Sequence, residues 1–96
     1  MSDVISEAVE ALKGKVGDGF DGGAVKFVLS GEGAIIVDEG GVRASDDDAD
    51  VTLTADPDVF RDMMDGSLDP TAAFMTGRLS VDGDMGLAMR LGSLLS

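Results

Sequence analysis

Side chains that could hold a nonpolar ligand are concentrated between residues 60 and 89. The set comprises five methionines and two phenylalanines, namely Met63, Met64, Met75, Met85, Met89, Phe60 and Phe74. Methionine is flexible and polarisable, so it can adapt to ligands of variable shape. The same residue types at helical spacing are also typical of an ordinary hydrophobic core. The residues by themselves therefore leave two interpretations open, ligand lining and core packing.

Residue types that catalyse reactions or bind metals are scarce. The chain has no histidine, cysteine or tyrosine, so Ser–His and Cys–His pairs cannot form, and zinc and iron lose their usual ligands. Asp46, Asp48 and Asp50 have the spacing of a calcium loop. However, the sixth position is Val51 instead of glycine and the twelfth is Pro57 instead of glutamate. No phosphate-binding glycine motif is present. We therefore expect a non-enzymatic domain with no catalytic residue, metal or cofactor.

The charge of the chain excludes several partners. Nineteen acidic and seven basic residues give a net charge of −12, which opposes binding to nucleic acid or to anionic membranes. The first residues are acidic where an export signal would be basic, and no apolar run reaches membrane-spanning length. We expect a cytoplasmic protein with no stable membrane anchoring. The acidic excess fits either simple solubility or adaptation to salt.

The N-terminal half predicts one helix followed by three strands. A helix capped by Ser2 or Asp3 has its apolar residues at i, i+1, i+4, i+5 and i+8, from Val4 to Leu12, which places them in one stripe. A glycine-rich, linker-like loop follows at residues 14–23. Strands are predicted at residues 24–30, 34–37 and 42–44, and the short turns between them predict an antiparallel meander.

The C-terminal half predicts two strands and three helices. Residues 51–55 alternate as a strand, and Asp56-Pro57 begins a helix that Gly66 ends. A second short helix precedes a fifth strand at residues 79–82, and two intervening helices are long enough for a crossover between parallel strands. The prediction is therefore a single α+β domain over residues 1–96, with a five-stranded, mostly antiparallel sheet covered on one face by helices.

The last 28 residues contain the clearest local signals. Asp69-Pro70 is an N-cap followed by proline at the first helical position, and Gly77 supplies the left-handed residue that ends that helix. Gly83-Asp84 turns the chain and caps a final helix. Arg90 and Ser93 are nearly the only polar residues of that helix, so it must be buried or contact something apolar.

Residues 73–91, AFMTGRLSVDGDMGLAMRL, also resemble the C-terminal signature of the sterol carrier protein 2 family. That signature is an Ala-Phe-x-x-Gly-Lys/Arg-Leu run leading into Gly-Asp and an apolar helix. The resemblance extends over almost the whole chain and implies a prokaryotic single-domain member. It further implies an apolar, lipid-binding tunnel between the sheet and the helices.

The leading hypothesis is that this domain binds, and transfers, a lipid: a fatty acid, acyl-CoA, phospholipid, sterol or quinone-like molecule. It would act as a monomer or weak dimer. Two alternatives remain, a protein-interaction or dimerisation module and an auxiliary subunit that presents a hydrophobic intermediate to an enzyme. Arg78 and Arg90 could pair with an anionic ligand or with surface acids. The residues expected to line the tunnel are Val25, Phe27, Leu29, Phe60, Met63, Met64, Phe74, Met75, Met85, Met89 and Leu95.

Overall fold

A computed structural model describes residues 3–17 and 19–95 and contains four helices and five strands in that part of the chain. The elements are α1 (Asp3–Val16), β1 (Val25–Leu29), β2 (Gly33–Asp38), β3 (Gly41–Ala44), β4 (Val51–Ala55), α2 (Pro57–Met64), α3 (Pro70–Met75), β5 (Leu79–Gly83) and α4 (Met85–Leu95). The predicted α+β class is confirmed. Ser2, one of the two residues predicted to cap α1, lies outside the described residues.

The five strands form one mixed sheet in the order β3-β2-β1-β4-β5. The predicted meander is confirmed, because β2 pairs antiparallel with both β1 and β3. The prediction that β4 and β5 run parallel is wrong: Ala55 at the end of β4 pairs with Leu79 at the start of β5, in antiparallel register. The helices α2 and α3 carry the chain away and back to the same end of the sheet, so no crossover is made. The parallel pair is β1 with β4.

One face of the sheet carries the hydrophobic core and the helices. Alternate residues of β1 and β4, such as Val25, Phe27 and Leu53, are buried there, as expected for strands with one solvated face. The helix α1 contacts β2 and β3, whereas α3 and α4 contact the β4–β5 half of the sheet. Phe20 adds to this core with 2% exposure, although the glycine content around it predicts only a loop.

The ends of α3 follow from its sequence. The Asp69 carboxylate accepts a hydrogen bond from the Ala72 backbone N–H at 3.2 Å, which confirms the N-cap. At the other end Gly77 adopts φ +79°, and the Arg78 N–H donates to the Ala73 carbonyl at 2.9 Å. Together with the hydrogen bond from the Gly77 N–H to the Phe74 carbonyl at 3.2 Å, this bond forms a Schellman motif, which ends a helix by satisfying its last carbonyls. The predicted start and stop of α3 are both confirmed.

The turn between β5 and α4 is held by Asp50 and Asp84. The Asp84 carboxylate accepts from the Leu87 N–H at 3.2 Å and so caps α4 as predicted. The Asp84 N–H donates in turn to the Asp50 carbonyl, 3.1 Å away. This turn fixes where α4 leaves the sheet, and therefore which of its faces lies over β4 and β5.

Candidate functional site

An apolar cleft of about 400 Å³ lies between the α3–α4 pair and the sheet. Its volume falls in the range of roughly 300–1,000 Å³ that is usual for small-molecule sites. Strands, helices and exposed rim residues all contribute to its walls. The lining residues are Phe27, Leu53, Met63, Pro70, Thr71, Phe74, Met75, Leu79, Val81, Met85, Ala88, Met89, Gly92, Ser93 and Leu95.

The floor of the cleft is a row of side chains on three adjacent strands. Phe27 of β1 pairs with Leu53 of β4, and Leu53 pairs with Val81 of β5. Paired residues lie side by side on the same face of a sheet, so these three form a continuous apolar row. Met63 of α2, which is 1% exposed, borders the same space. The floor is therefore continuous with the core through the buried Phe27, Leu53 and Met63, whereas Val81 at its edge is partly buried.

The helix α4 divides its apolar residues between the core and the cleft rim. Leu87 and Leu91 are buried in the core, whereas Met85 is 44% and Met89 70% exposed. Met85 and Met89 are four residues apart and therefore project from one side of the helix. Both line the cleft, as does the buried Leu95. The sequence of α4 has more apolar residues than the core buries, and Met85 and Met89 at the rim of the cleft are among the additional ones.

The helix α3 forms the opposite rim. Phe74 is 42% and Met75 78% exposed, and both line the cleft. The first turn of α3 lies close to the last turns of α4, because a Cβ placed on Gly92 would be 3.8 Å from the Pro70 Cβ. Thr71 and Ser93, the neighbours of these two residues, are the hydroxyl-bearing residues of the lining. Both residues are exposed, and the Ser93 hydroxyl donates a hydrogen bond to the Met89 carbonyl at 3.2 Å.

The structure brings together seven of the eleven residues predicted to line a tunnel. These seven are Phe27, Met63, Phe74, Met75, Met85, Met89 and Leu95. The other four do not line the cleft: Val25, Leu29 and Phe60 are buried in the core, and Met64 packs against it. Their side chains belong to the core that supports the floor. In the sequence, apolar residues of the core and apolar residues of a lining have the same spacing, so the two could not be distinguished. Ligand contact at the seven, and a closed tunnel, stay predictions.

Sequence reasoning missed the remaining lining residues. Leu53, Leu79 and Val81 had a usable signal, since they alternate with polar neighbours on predicted strands. Thr71, Gly92 and Ser93 had none, because small residues at these helix positions have no distinctive spacing. They line the cleft through the approach of α3 to α4, which the sequence does not specify.

The charged side chains that the structure describes lie outside the cleft. All seven lysines and arginines are within the described residues, and neither they nor any of the described acids is among the lining residues. The Arg90 guanidinium carbon lies 6.0 Å from the ring centroid of Phe20, which is a cation–π contact that the sequence did not predict. Lys26 pairs with Asp46 at 3.2 Å on the face of the sheet opposite the cleft.

The displaced pKa values found among the described groups also belong to residues outside the cleft. Arg43 donates hydrogen bonds to both oxygens of Asp38, at 2.9 and 3.0 Å, and thereby lowers the pKa of that carboxyl. Hydrogen bonds with Ser67 lower the pKa of Asp65. The described residues include no group of three or more His, Cys, Asp or Glu side chains that could hold a metal ion. None of the described helices is long and apolar enough to span a bilayer.

Comparison with known proteins gives matches over nearly the whole chain. The family model described as "SCP-2 sterol transfer family" matches residues 5–96. Hydroxysteroid dehydrogenase-like protein 2 of Xenopus tropicalis is 38% identical over 97 residues, which cover 93% of this chain and 23% of that protein. The chain spans less than a quarter of the length of the curated relatives that it matches.

Two solved structures share the fold. Sterol carrier protein 2 like 2 from Aedes aegypti superposes with a TM-score of 0.76 at 24% identity, and the match covers 94% of each chain. The palmitated form of that protein, studied in solution, gives a TM-score of 0.72 at 25% identity and covers 99% of this chain and 95% of that one.

Proposed function

This chain belongs to the SCP-2 sterol transfer family, and we propose that it binds a lipid in the cleft between α3, α4 and the sheet and transfers it without catalysis. The observation that carries the proposal is the exposure of Phe74, Met75, Met85 and Met89 around one apolar cleft. Large apolar residues scattered singly over a surface are normal, but a contiguous group that borders a concave site marks a binding site.

The energetics of burial support an apolar ligand. Each methylene group removed from water contributes about 0.8 kcal/mol. A chain of about fourteen methylenes would gain roughly 11 kcal/mol before the costs of association are subtracted. The ligand would also cover Met75 and Met89, which are 78% and 70% exposed without it. Affinity near the micromolar level then requires no strong polar contact.

The open rim favours transfer as well as binding. Met85 and Met89 lie at the surface, and their unbranched side chains change rotamer at low cost. A ligand could therefore enter and leave between α3 and α4 while the buried floor residues Phe27 and Leu53 stay in place. The palmitated relative from Aedes aegypti is consistent with a fatty-chain ligand.

A pair of variants on α4 tests the proposal. Met89 is exposed and lines the cleft, whereas Leu94 is 45% exposed and does not line it. Replacing either by glutamine makes a comparable surface change on the same helix. Met89→Gln should lower the affinity for a fluorescent fatty acid about tenfold with little change in melting temperature. Leu94→Gln should leave the affinity unchanged.

The chain has no tryptophan or tyrosine, so the fluorescence of an added probe is read without protein background. Saturable binding that unlabelled lipid displaces is the expected result for the unmodified protein. Absence of binding up to the solubility limit of the probe would refute the proposal. Equal losses of affinity in Met89→Gln and Leu94→Gln would show that the probe does not bind in the cleft.

The same exposed residues support a second candidate, a protein-interaction or dimerisation surface. Phe74, Met75 and Met89 would then be covered by a partner chain instead of a lipid. Sedimentation of the delipidated protein separates the two functions. A mass that rises with concentration, and falls back in Met75→Gln, would favour association, whereas a constant monomer mass with lipid binding favours the carrier.

A further inference from the structure

Resting on the proposed lipid binding, we infer that Gly92 limits the length of the straight-chain lipid that the cleft accepts. Gly92 lines the cleft where α4 approaches Pro70 of α3, and its missing side chain leaves the gap between the two helices open there. Three features of the structure carry this assignment: the backbone of Gly92, the atoms around it and its position along the cleft.

The backbone at Gly92 does not require a glycine. Gly92 lies within α4 (Met85–Leu95) and is not among the glycines of positive φ. Any L residue adopts helical backbone angles, and alanine favours a helix more than glycine does. Gly92 therefore weakens α4 without a conformational reason, in contrast to Gly83, whose φ is +118°.

The space beside Gly92 could hold a side chain. A Cβ placed there would lie 3.8 Å from the Pro70 Cβ, an ordinary van der Waals distance. Apart from the backbone of α4 and the neighbouring residues, it would meet no other heavy atom of the described chain within 4 Å. The Cβ direction points across to α3, so a longer side chain would occupy the gap between the helices, which is part of the cleft.

The other glycine of α4 has different surroundings. Gly86 is exposed and does not line the cleft, and a Cβ there would lie 3.1 Å from the Asp84 Oδ1 atom that caps the helix. A side chain at Gly86 would disturb this cap, whereas one at Gly92 would fill space in the cleft. Of these two glycines, Gly92 is the one whose missing side chain enlarges the site.

Gly92 lies toward one end of a cleft that follows α4, since residues of this helix line it from Met85 to Leu95. Met85 and Gly92 are seven residues apart, or about 10 Å along the helix axis. A long apolar chain that lies along α4 must pass Gly92, whereas a short one fits beside Met85 and Met89. A side chain at Gly92 should therefore exclude the longest chains and leave shorter ones unaffected.

The experiment measures how affinity depends on chain length. Decanoate and palmitate, each below the concentration at which it forms micelles, displace a pyrene-labelled fatty acid whose own affinity is measured for every variant. Each methylene in apolar contact can strengthen binding up to about fourfold. We expect Gly92→Leu to lower the palmitate affinity about tenfold or more, because its side chain displaces several methylenes. The decanoate affinity should change by less than about twofold.

Ala72→Leu is the matched control, because it enlarges an exposed residue of α3 that does not line the cleft. It should change neither affinity. Gly92→Ala is the second variant, since its methyl group fits beside Pro70. It should raise the melting temperature, because alanine favours a helix, and should lower the palmitate affinity up to about fourfold. This variant decides the question if thermal unfolding shows that Gly92→Leu does not fold.

The outcomes separate this inference from the proposed function. Displacement of the probe from the unmodified chain by neither fatty acid would refute lipid binding itself. An unchanged palmitate affinity in the Gly92 variants would overturn the length limit alone. Equal losses for both fatty acids in folded Gly92→Leu would also overturn it, as would tighter palmitate binding through separation of α3 from α4.

Discussion

Phe27 and Phe60 pack edge to face, with their ring centroids 5.5 Å apart and their planes at 75°. Phe27 lines the cleft, whereas Phe60 lies behind it in the core and is 4% exposed. The pair therefore marks the boundary between the surface that a ligand would touch and the interior that supports it. Edge-to-face pairs contribute about 0.5–1.5 kcal/mol beyond the area they bury.

Replacing Phe60 by leucine should lower stability without changing the cleft surface. Loss of the aromatic contact and imperfect filling of its space should cost about 1.5 kcal/mol, or roughly 6–12 °C in melting temperature for a domain of this size. Thermal unfolding followed by circular dichroism measures the loss. Lipid affinity of the folded protein should stay within about twofold. A large drop in affinity at temperatures where the variant is folded would place Phe60 at the ligand.

Gly83 should be among the least replaceable glycines. It has φ +118°, and a Cβ at this position would lie 2.5 Å from the Asp50 carbonyl oxygen. That oxygen accepts the hydrogen bond from Asp84, the cap of α4. Gly83→Ala should therefore cost about 3 kcal/mol or more, from backbone strain and displacement of this turn together. Urea unfolding gives the free-energy difference.

Gly31 supplies the control for that variant. It has φ +80°, but a Cβ there would meet no atom within 4 Å. Gly31→Ala should cost only the conformational strain, about 1–2 kcal/mol. Equal losses in the two variants would show that the contact with Asp50 has no energetic weight.

The ion pair of Asp38 and Arg43 predicts a pH-dependent contribution to stability. Hydrogen bonds from Arg43 and from the Gly40 N–H, the latter 2.9 Å, hold the pKa of Asp38 below its ordinary value of 3.8. The unfolded chain then binds the proton more readily in acid. The stabilisation is complete above the ordinary value and is lost as the pH falls through the lower pKa of the folded state.

Comparison of the unmodified chain with Asp38→Asn isolates this effect. The difference in unfolding free energy should be constant from neutral pH down to about pH 5 and should shrink at lower pH. Urea unfolding at a series of pH values measures this difference. The pKa of Asp65 is also lowered, but Asp65 is present in both proteins, so its contribution to the pH dependence cancels. A difference that grows on acidification would contradict the assigned direction.

Local signals in the sequence predicted the helix ends well. Asp69, Gly77 and Asp84 act within a few residues of their own positions, so their roles as caps and stop follow from backbone geometry alone. Strand pairing depends on contacts between residues that are far apart in the sequence. For that reason the predicted direction of β5 relative to β4 was wrong. The length of an intervening segment limits the possible connections but does not select one.

The candidate site was only partly predictable for a related reason. Met63 and Met64 are adjacent and chemically identical, yet Met63 lines the cleft and Met64 does not. Which one faces the cleft depends on the rotation of α2 against the sheet. Likewise, Thr71 and Ser93 reach the cleft because α3 approaches α4 at Pro70 and Gly92. Residue spacing does not specify such packing details.

The methionines provide the most direct test of the cleft as the ligand site. Protein labelled with ¹³C at the methionine methyl groups is titrated with 1-tetradecanol, and each resonance, assigned by substitution, is followed by NMR. Met63, Met75, Met85 and Met89 line the cleft, and Met64 is the internal control on the same chain. The account predicts that these four shift together and saturate with one dissociation constant, while Met64 stays unchanged. Saturable shifts at Met64, with the four cleft methionines unaffected, would contradict it.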